Sequence, residues 1–266
     1  MPFASSKSAI LHYTVRGQSD DTILLIMGLG GHASEWGEPF LARLSENYRV
    51  LCMDNRGIGE SKSNADSWTM EDMAADACAV LDAAGVASAH VLGTSMGGMI
   101  AQIVAAAYPE RVKRLILMAT TYGGRESIPP APEAAAVLLP VSGMSIADMQ
   151  RRSLRVLTGP GFADANPALI DELALLRERV PTRGRVFKAQ FACIVASDRS
   201  QLVRGLRAPT LVVHGEDDPL VQVENGKLLA ARIPAQRFVL FENCGHFPHF
   251  ERPVESAAVI LEFLQT

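Results

Sequence analysis

Four cysteines are spread across the 266 residues, Cys52, Cys78, Cys193 and Cys244, and none forms a C-x-x-C pair. Their scatter excludes the common zinc-ribbon and dithiol redox arrangements. Each lies in an apolar or strand-like setting, which predicts buried, reduced thiols and a cytoplasmic protein. The histidines include no H-x-x-x-H pair, so His12, His32, His90 and His214 are read as structural and no metal site is expected. No apolar run approaches the ~18 residues of a membrane helix. The amino terminus, Met1-Pro2-Phe3-Ala4-Ser5-Ser6-Lys7, lacks the basic start and apolar core of a secretory signal. A net charge of −4 gives no electrostatic case for nucleic acid or an anionic membrane as partner. No G-x-x-x-x-G-K is present, and the glycines from Gly28 to Gly31 are too closely spaced for dinucleotide binding. No organic cofactor is therefore expected.

Hydrophobic residues make up 48% of the chain, enough for a sizeable core. Apolar runs bounded by turn residues recur with helical stretches between them, the pattern of an α/β domain with a mostly parallel sheet. Strands are predicted at Ile10 to Val15, Thr22 to Met27, Arg49 to Met53, Ala89 to Leu92, Arg114 to Met118, Pro209 to Val213 and Arg237 to Phe241. The first two lie too close in sequence for a helical crossover, which predicts an antiparallel hairpin. Helices are predicted near Met70 to Ala84, Met96 to Ala107, Val223 to Arg232 and Val254 to Leu264. Between Thr121 and Arg204 the alternation breaks, with helical pieces at Ile146 to Leu157 and Pro167 to Val180. The expected organisation is a core of residues 1–120 and 205–266, with a helical lid inserted at 121–204. There is no internal repeat or low-complexity tract.

Within this frame, Gly93-Thr94-Ser95-Met96-Gly97 joins a strand-like run to a helix-like run. A strand turning sharply into a helix around a central Ser strains the backbone there, and glycines two residues either side let the turn close. Ser95 is thereby nominated as a nucleophile. Downstream, a buried strand ends in His214-Gly215-Glu216-Asp217-Asp218-Pro219, and a later strand is followed by Glu242-Asn243-Cys244-Gly245-His246. All three motifs fall just past the C-terminal ends of strands, where open parallel sheets place ligands. A serine hydroxyl needs a base, and His246 is the candidate. His249, the rival, is expected to pack beneath the loop. The imidazole in turn needs a carboxylate, and Asp217 and Asp218 both qualify by position.

The chain resembles the α/β-hydrolase superfamily over nearly its whole length. The resemblance is carried by G-L-G at Gly28 to Gly30, D-N-R-G-I-G-E-S at Asp54 to Ser61, G-T-S-M-G-G at Gly93 to Gly98, H-G-E-D-D-P at His214 to Pro219 and G-H-F-P-H-F-E-R-P at Gly245 to Pro253. It is most similar to small capped carboxylesterases and enol-lactone hydrolases. The resemblance implies an α/β-hydrolase fold with an inserted helical lid, and a catalytic triad of Ser95, Asp218 and His246. The acid usually stands third after the glycine that ends its strand, which selects Asp218. Some members carry it after an earlier strand, but here that strand ends at Ala119-Thr120-Thr121 without a carboxylate.

Two backbone N–H groups must also face the developing oxyanion. The resemblance assigns them to Met96 and to Leu29, where relatives usually read H-G-x and this chain has Met27-Gly28-Leu29. Asp54 and Arg56 are read as structural, and Arg151, Arg152, Arg155, Arg177 and Arg179 as a solvated lid face. The implied activity is hydrolysis of small, largely apolar esters or lactones through an acyl-enzyme. Three alternatives stay open. One is a carbon–carbon bond hydrolase of the same fold, although those relatives typically carry a Pro-Gly loop where this chain has Asn55-Arg56-Gly57. The others are a cofactor-free perhydrolase or haloperoxidase and, in a different class, a small-molecule receptor with little turnover. Nothing in the sequence sets an oligomeric state.

Overall fold

A computed structural model describes residues 2–234 and 236–266. Its nine-stranded sheet contains β1 (Phe3–Ser6), β2 (Ala9–Arg16), β3 (Thr22–Ile26), β4 (Arg49–Met53), β5 (Lys62–Ser63), β6 (Ala89–Thr94), β7 (Val112–Met118), β8 (Thr210–Gly215) and β9 (Gln236–Phe241). The strand order is β1-β2-β4-β3-β6-β7-β8-β9, with β5 added beside β2. From β4 to β9 every pairing is parallel. The strands at the other edge, β1, β2 and β5, are antiparallel.

The parallel strands read as unbroken apolar runs because both sheet faces are covered. Side chains alternate between two cores, as the two-residue strand period requires. Leu24 and Ile26 face one core, packed under α2 (Met70–Ala83) and α3 (Met96–Ala107). Ile23 and Leu25 face the other, packed under α1 (Glu38–Ser45) and the C-terminal helix. Between β7 and β8 the alternation gives way to α4 (Pro132–Val137), α5 (Ile146–Leu157), α6 (Phe162–Ala165), α7 (Pro167–Arg179) and α8 (Gly184–Ala196). This is the inserted helical lid. The remaining helices are α9 (Val223–Ala230), α10 (Pro248–Glu251) and the C-terminal α11 (Pro253–Gln265). Among the described residues no helix is long and apolar enough to cross a membrane.

One expectation is overturned. β2 and β3 do not form a hairpin: β2 pairs antiparallel with β4, which lies between them. The chain leaves β2 through Gly17 (φ 72), where a Cβ would sit 2.3 Å from the Tyr48 carbonyl oxygen. It therefore passes close under the entry to β4 and rises again two strands over. A five-residue link spans two strand spacings of about 4.8 Å each without strain.

Candidate active site

β6 runs directly into α3, and Ser95 is the hinge, with φ 54 and ψ −122. Such angles on a residue with a Cβ cost on the order of 1–3 kcal/mol and persist only where the surroundings enforce them. Here they do. Ser95 N–H donates to the Met118 carbonyl at 2.9 Å, and Thr120 Oγ1 donates to the Ser95 carbonyl at 2.6 Å. The two flanking glycines are required by space: a Cβ on Gly93 would lie 2.1 Å from the Gly97 carbonyl oxygen, and one on Gly97 2.0 Å from that of Ile26. Gly98 is also constrained, since a Cβ there would lie 2.6 Å from Thr120 Cγ2. The Ser95 side chain remains half-buried at the sheet edge where β6 ends.

Of the two aspartates, Asp218 is the one that meets the imidazole. Its Oδ2 lies 2.7 Å from His246 Nδ1, and both residues are buried, whereas Asp217 is exposed. Asp218 Oδ1 accepts the amides of Leu220 and Val221, each at 2.9 Å, which fixes the carboxylate plane. The His246 loop crosses the end of β8, with the Asp217 amide donating to the Cys244 carbonyl at 2.9 Å. A Cβ on Gly215 would meet the Gly245 carbonyl oxygen at 2.1 Å, so the crossing needs that glycine. Among the described residues no hydrogen bond joins Ser95 Oγ to His246. In this class of site that contact tightens when substrate binds.

His249 packs beneath the loop, as expected, with its ring centroid 5.0 Å from that of Trp36 and 5.4 Å from that of Phe250. Burial pushes its pKa down to about 3. A histidine held neutral this strongly, and sealed from solvent, is no proton shuttle. His214 is also buried, and desolvation lowers its pKa. It makes a 2.6 Å hydrogen bond to the Val221 carbonyl and lies 3.6 Å from Asp218 Oδ2, so it braces the acid loop from below.

The loop after β3 sits beside Ser95: a Cβ on Gly28 would lie 3.1 Å from Ser95 Cβ. Among the described residues, neither the Leu29 nor the Met96 N–H donates within the protein, while the Gly31 amide closes back on Gly28 at 3.1 Å. Two unused donors thus flank Ser95, one of them at a helix N-terminus.

The insertion is tied into the His246 loop and into the loop after β3. Glu251, buried on α10, accepts the amides of Gly159 (2.7 Å), Gly245 (3.0 Å) and Phe247 (3.1 Å). Burial raises its pKa despite those three donors. The His246 amide donates to Leu157 at the end of α5, at 2.7 Å. Arg177 departs from the solvated face expected of it: it is mostly buried and hydrogen-bonds the Gly30 carbonyl and the Glu35 carboxylate. Arg151 and Arg155 do remain on an outer face, paired with Asp148, Asp171 and Asp164.

Asp54 and Arg56 are both buried and each is held by its own partners. Asp54 accepts from His12 Nδ1 and the Ala33 amide, both at 2.8 Å. Arg56 forms a buried pair with Asp76 of α2, at 2.6 and 2.7 Å. All four cysteines are buried and free. Among the described residues no cluster of three or more His, Cys, Asp or Glu side chains is placed to hold a metal.

The elbow, the Asp218–His246 pair and the sheet order define an enzyme of the α/β-hydrolase fold. Residues 23–259 match the model of the alpha/beta hydrolase family, and the chain belongs to it. Similar proteins include a 2-hydroxy-6-oxononadienedioate/2-hydroxy-6-oxononatrienedioate hydrolase of Paraburkholderia phymatum, 30% identical over 264 residues, which cover 96% of this chain and 90% of that one. Among solved structures, an enol-lactonase from Burkholderia xenovorans LB400 superposes with a TM-score of 0.87 at 25% identity, over 100% of both chains. An esterase from Rhodococcus sp. ECU1013 superposes with a TM-score of 0.85 at 27% identity, over 100% of this chain and 98% of that one.

Proposed function

We propose that the protein is a serine hydrolase that cleaves carboxylic esters or lactones of small, largely apolar substrates. Ser95 Oγ attacks the substrate carbonyl and its proton passes to His246 Nε2. Asp218 holds the Nδ1–H and stabilises the imidazolium that forms. The Leu29 and Met96 N–H groups receive the oxyanion. Collapse of the tetrahedral intermediate expels the alcohol, which takes the proton from His246. A water deprotonated by His246 then releases the acid from the acyl-enzyme. The observation that carries the reading is the strained Ser95 elbow, on the same sheet edge as a buried, aligned Asp218–His246 pair. In this reading residues 1–120 and 205–266 form the catalytic core and 121–204 the lid.

The character of the lid supports apolar substrates. Leu154, Leu157, Ile170 and Leu173 pack with Phe247 and Phe250, next to His246. Arg177, the lid arginine that reaches the catalytic loops, is neutralised by Glu35.

A second reading, hydrolysis of a carbon–carbon bond beside a ketone, is favoured by the Paraburkholderia phymatum relative. It uses the same triad and oxyanion donors on a carbon leaving group. The substrate in that relative's name carries two carboxylates, and an Arg177 already paired with Glu35 is poorly suited to receive one. Steady-state turnover separates the readings. Purified protein is assayed on p-nitrophenyl esters of increasing chain length, on enol-lactones and on a dienoic ring-fission diketone acid. Saturable turnover of esters or lactones, with the diketone acid slower, is the expected result. Turnover confined to the diketone acid would transfer the assignment to the second reading.

A further inference from the structure

The loop that presents Leu29 lacks the histidine usual at its start, and Met27 has no polar group to order it. The Gly31 amide closes on the Gly28 carbonyl at 3.1 Å, and the two ends of this turn are held from the core and from the lid. On the near side, Asn55 Nδ2 donates to the Met27 carbonyl at 2.9 Å. On the far side, the Gly30 amide donates to Gln190 Oε1 of α8 at 2.8 Å. The Gly30 carbonyl accepts from Thr182 Oγ1 at 2.7 Å and from Arg177 Nη1. Gln190 is fully buried, and its Nε2 has no partner among the described residues. Its amide orientation is therefore set by the Gly30 N–H, since only the oxygen can accept.

We propose that Gln190 is a positioning residue for the oxyanion hole, fixing the Leu29 N–H through the adjoining Gly30 peptide. The inference rests on Leu29 being an oxyanion donor. A single rigid peptide unit, Gly28–Leu29, separates the anchored Met27 carbonyl from the anchored Gly30 amide, and it carries the unused Leu29 N–H. Releasing the Gly30 amide leaves the Gly28–Leu29 peptide held only by the 3.1 Å Gly31-to-Gly28 bond, and Gly28 resists little as the peptide tilts away from Ser95. The lid is then part of the transition-state binding apparatus and more than a cover. An oxyanion donor contributes chiefly in the transition state, so its misplacement lowers kcat and leaves KM nearly unchanged.

The test uses the full chain with Gln190→Leu, Gln190→Glu and Thr182→Val. It measures kcat and KM on a short p-nitrophenyl ester, and inhibition by a trifluoromethyl ketone, whose serine adduct carries an oxyanion. Gln190→Leu removes the acceptor at similar volume, and kcat should fall about 10- to 100-fold with KM within about two-fold. Trifluoromethyl ketone affinity should weaken by a similar factor to kcat/KM. Gln190→Glu keeps an acceptor oxygen and should recover most of the loss. Thr182→Val, a milder change at a partly exposed site, should show the same pattern at several-fold. That variant keeps the test decisive if Gln190→Leu fails to fold.

The proposal is overturned if Gln190→Leu, or Thr182→Val in its place, keeps wild-type kcat and inhibitor affinity. A rise in KM alone, or a Gln190→Glu variant no better than Gln190→Leu, would likewise overturn it. Ser95→Ala run in parallel separates the two levels. Turnover in Ser95→Ala removes the serine-hydrolase reading itself, whereas an inactive Ser95→Ala beside an unaffected Gln190→Leu removes only the positioning role.

Discussion

The carboxylate of Glu251 accepts the amide of Gly159 at 2.7 Å, joining residues 92 apart in sequence. The same carboxylate holds the amides on both sides of His246. One buried side chain therefore connects the lid to the loop that carries His246. Glu251→Ala would strand two buried N–H groups and a partly buried third, each buried one costing about 1–3 kcal/mol when left without an acceptor. The expected outcome is a destabilisation of at least about 2 kcal/mol by urea unfolding, together with a lower kcat as the His246 loop loosens. Glu251→Gln retains one acceptor oxygen and should lose less on both counts. Wild-type stability in Glu251→Ala would show that solvent replaces the carboxylate without cost.

Strain at the elbow gives an opposite expectation for stability. Ser95→Gly relieves a φ of 54 that a Cβ resists, so it should unfold at higher urea, by about 1 kcal/mol, while losing activity. Ser95→Ala should be equally inactive at near wild-type stability. A Ser95→Gly variant less stable than Ser95→Ala would mean that the Ser95 side chain contributes packing the structure does not reveal.

The two aspartates should differ sharply. Asp218→Asn keeps the loop but offers His246 Nδ1 the wrong partner, and a comparable change in another triad costs about 10⁴ in kcat. Asp217 is exposed and makes no contact with His246, so Asp217→Asn should change kcat by no more than a few-fold. Comparable losses from both would contradict the pairing.

Much of this site could be read from residue order because its constraints are local. The elbow needs Gly93 and Gly97 at fixed distances from Ser95, and Asp218 and His246 follow the ends of β8 and β9 within a few residues. β8 and α3 are likewise legible, since an apolar run that is buried almost throughout has few alternatives. What failed was non-local. The pairing of β2 with β4 depends on a strand 33 residues beyond the end of β2 in sequence (Arg16 to Arg49), and nothing in the Gly17–Asp21 link announces it. Gln190 lies 160 residues from Gly30, and a glutamine in an amphipathic stretch carries no mark of its partner. α8 is masked in the sequence because Phe191 and Val195 face outward, blurring the helical period. Arg177 looked like its solvated neighbours because charge alone does not show which arginine turns inward.

Stability should respond to pH through His249. Its pKa is 6.5 in an ordinary setting and about 3 in the folded protein, chiefly through burial. Between those values the unfolded chain binds a proton that the folded chain refuses, so stability rises with pH in that window and falls as pH drops from 6.5 toward 3. Melting temperatures across the window should show this slope, and His249→Phe should flatten it by up to one proton while keeping the aromatic packing around Trp36 and Phe250. An unchanged slope in the variant would assign the acid sensitivity to other groups.

The central claim, covalent catalysis at Ser95, is tested most directly by mass analysis of the enzyme quenched with acid during turnover of a p-nitrophenyl ester. The account predicts an acyl adduct confined to the peptide containing Ser95 and absent from Ser95→Ala. An adduct on another side chain, or turnover that persists in Ser95→Ala, would contradict it.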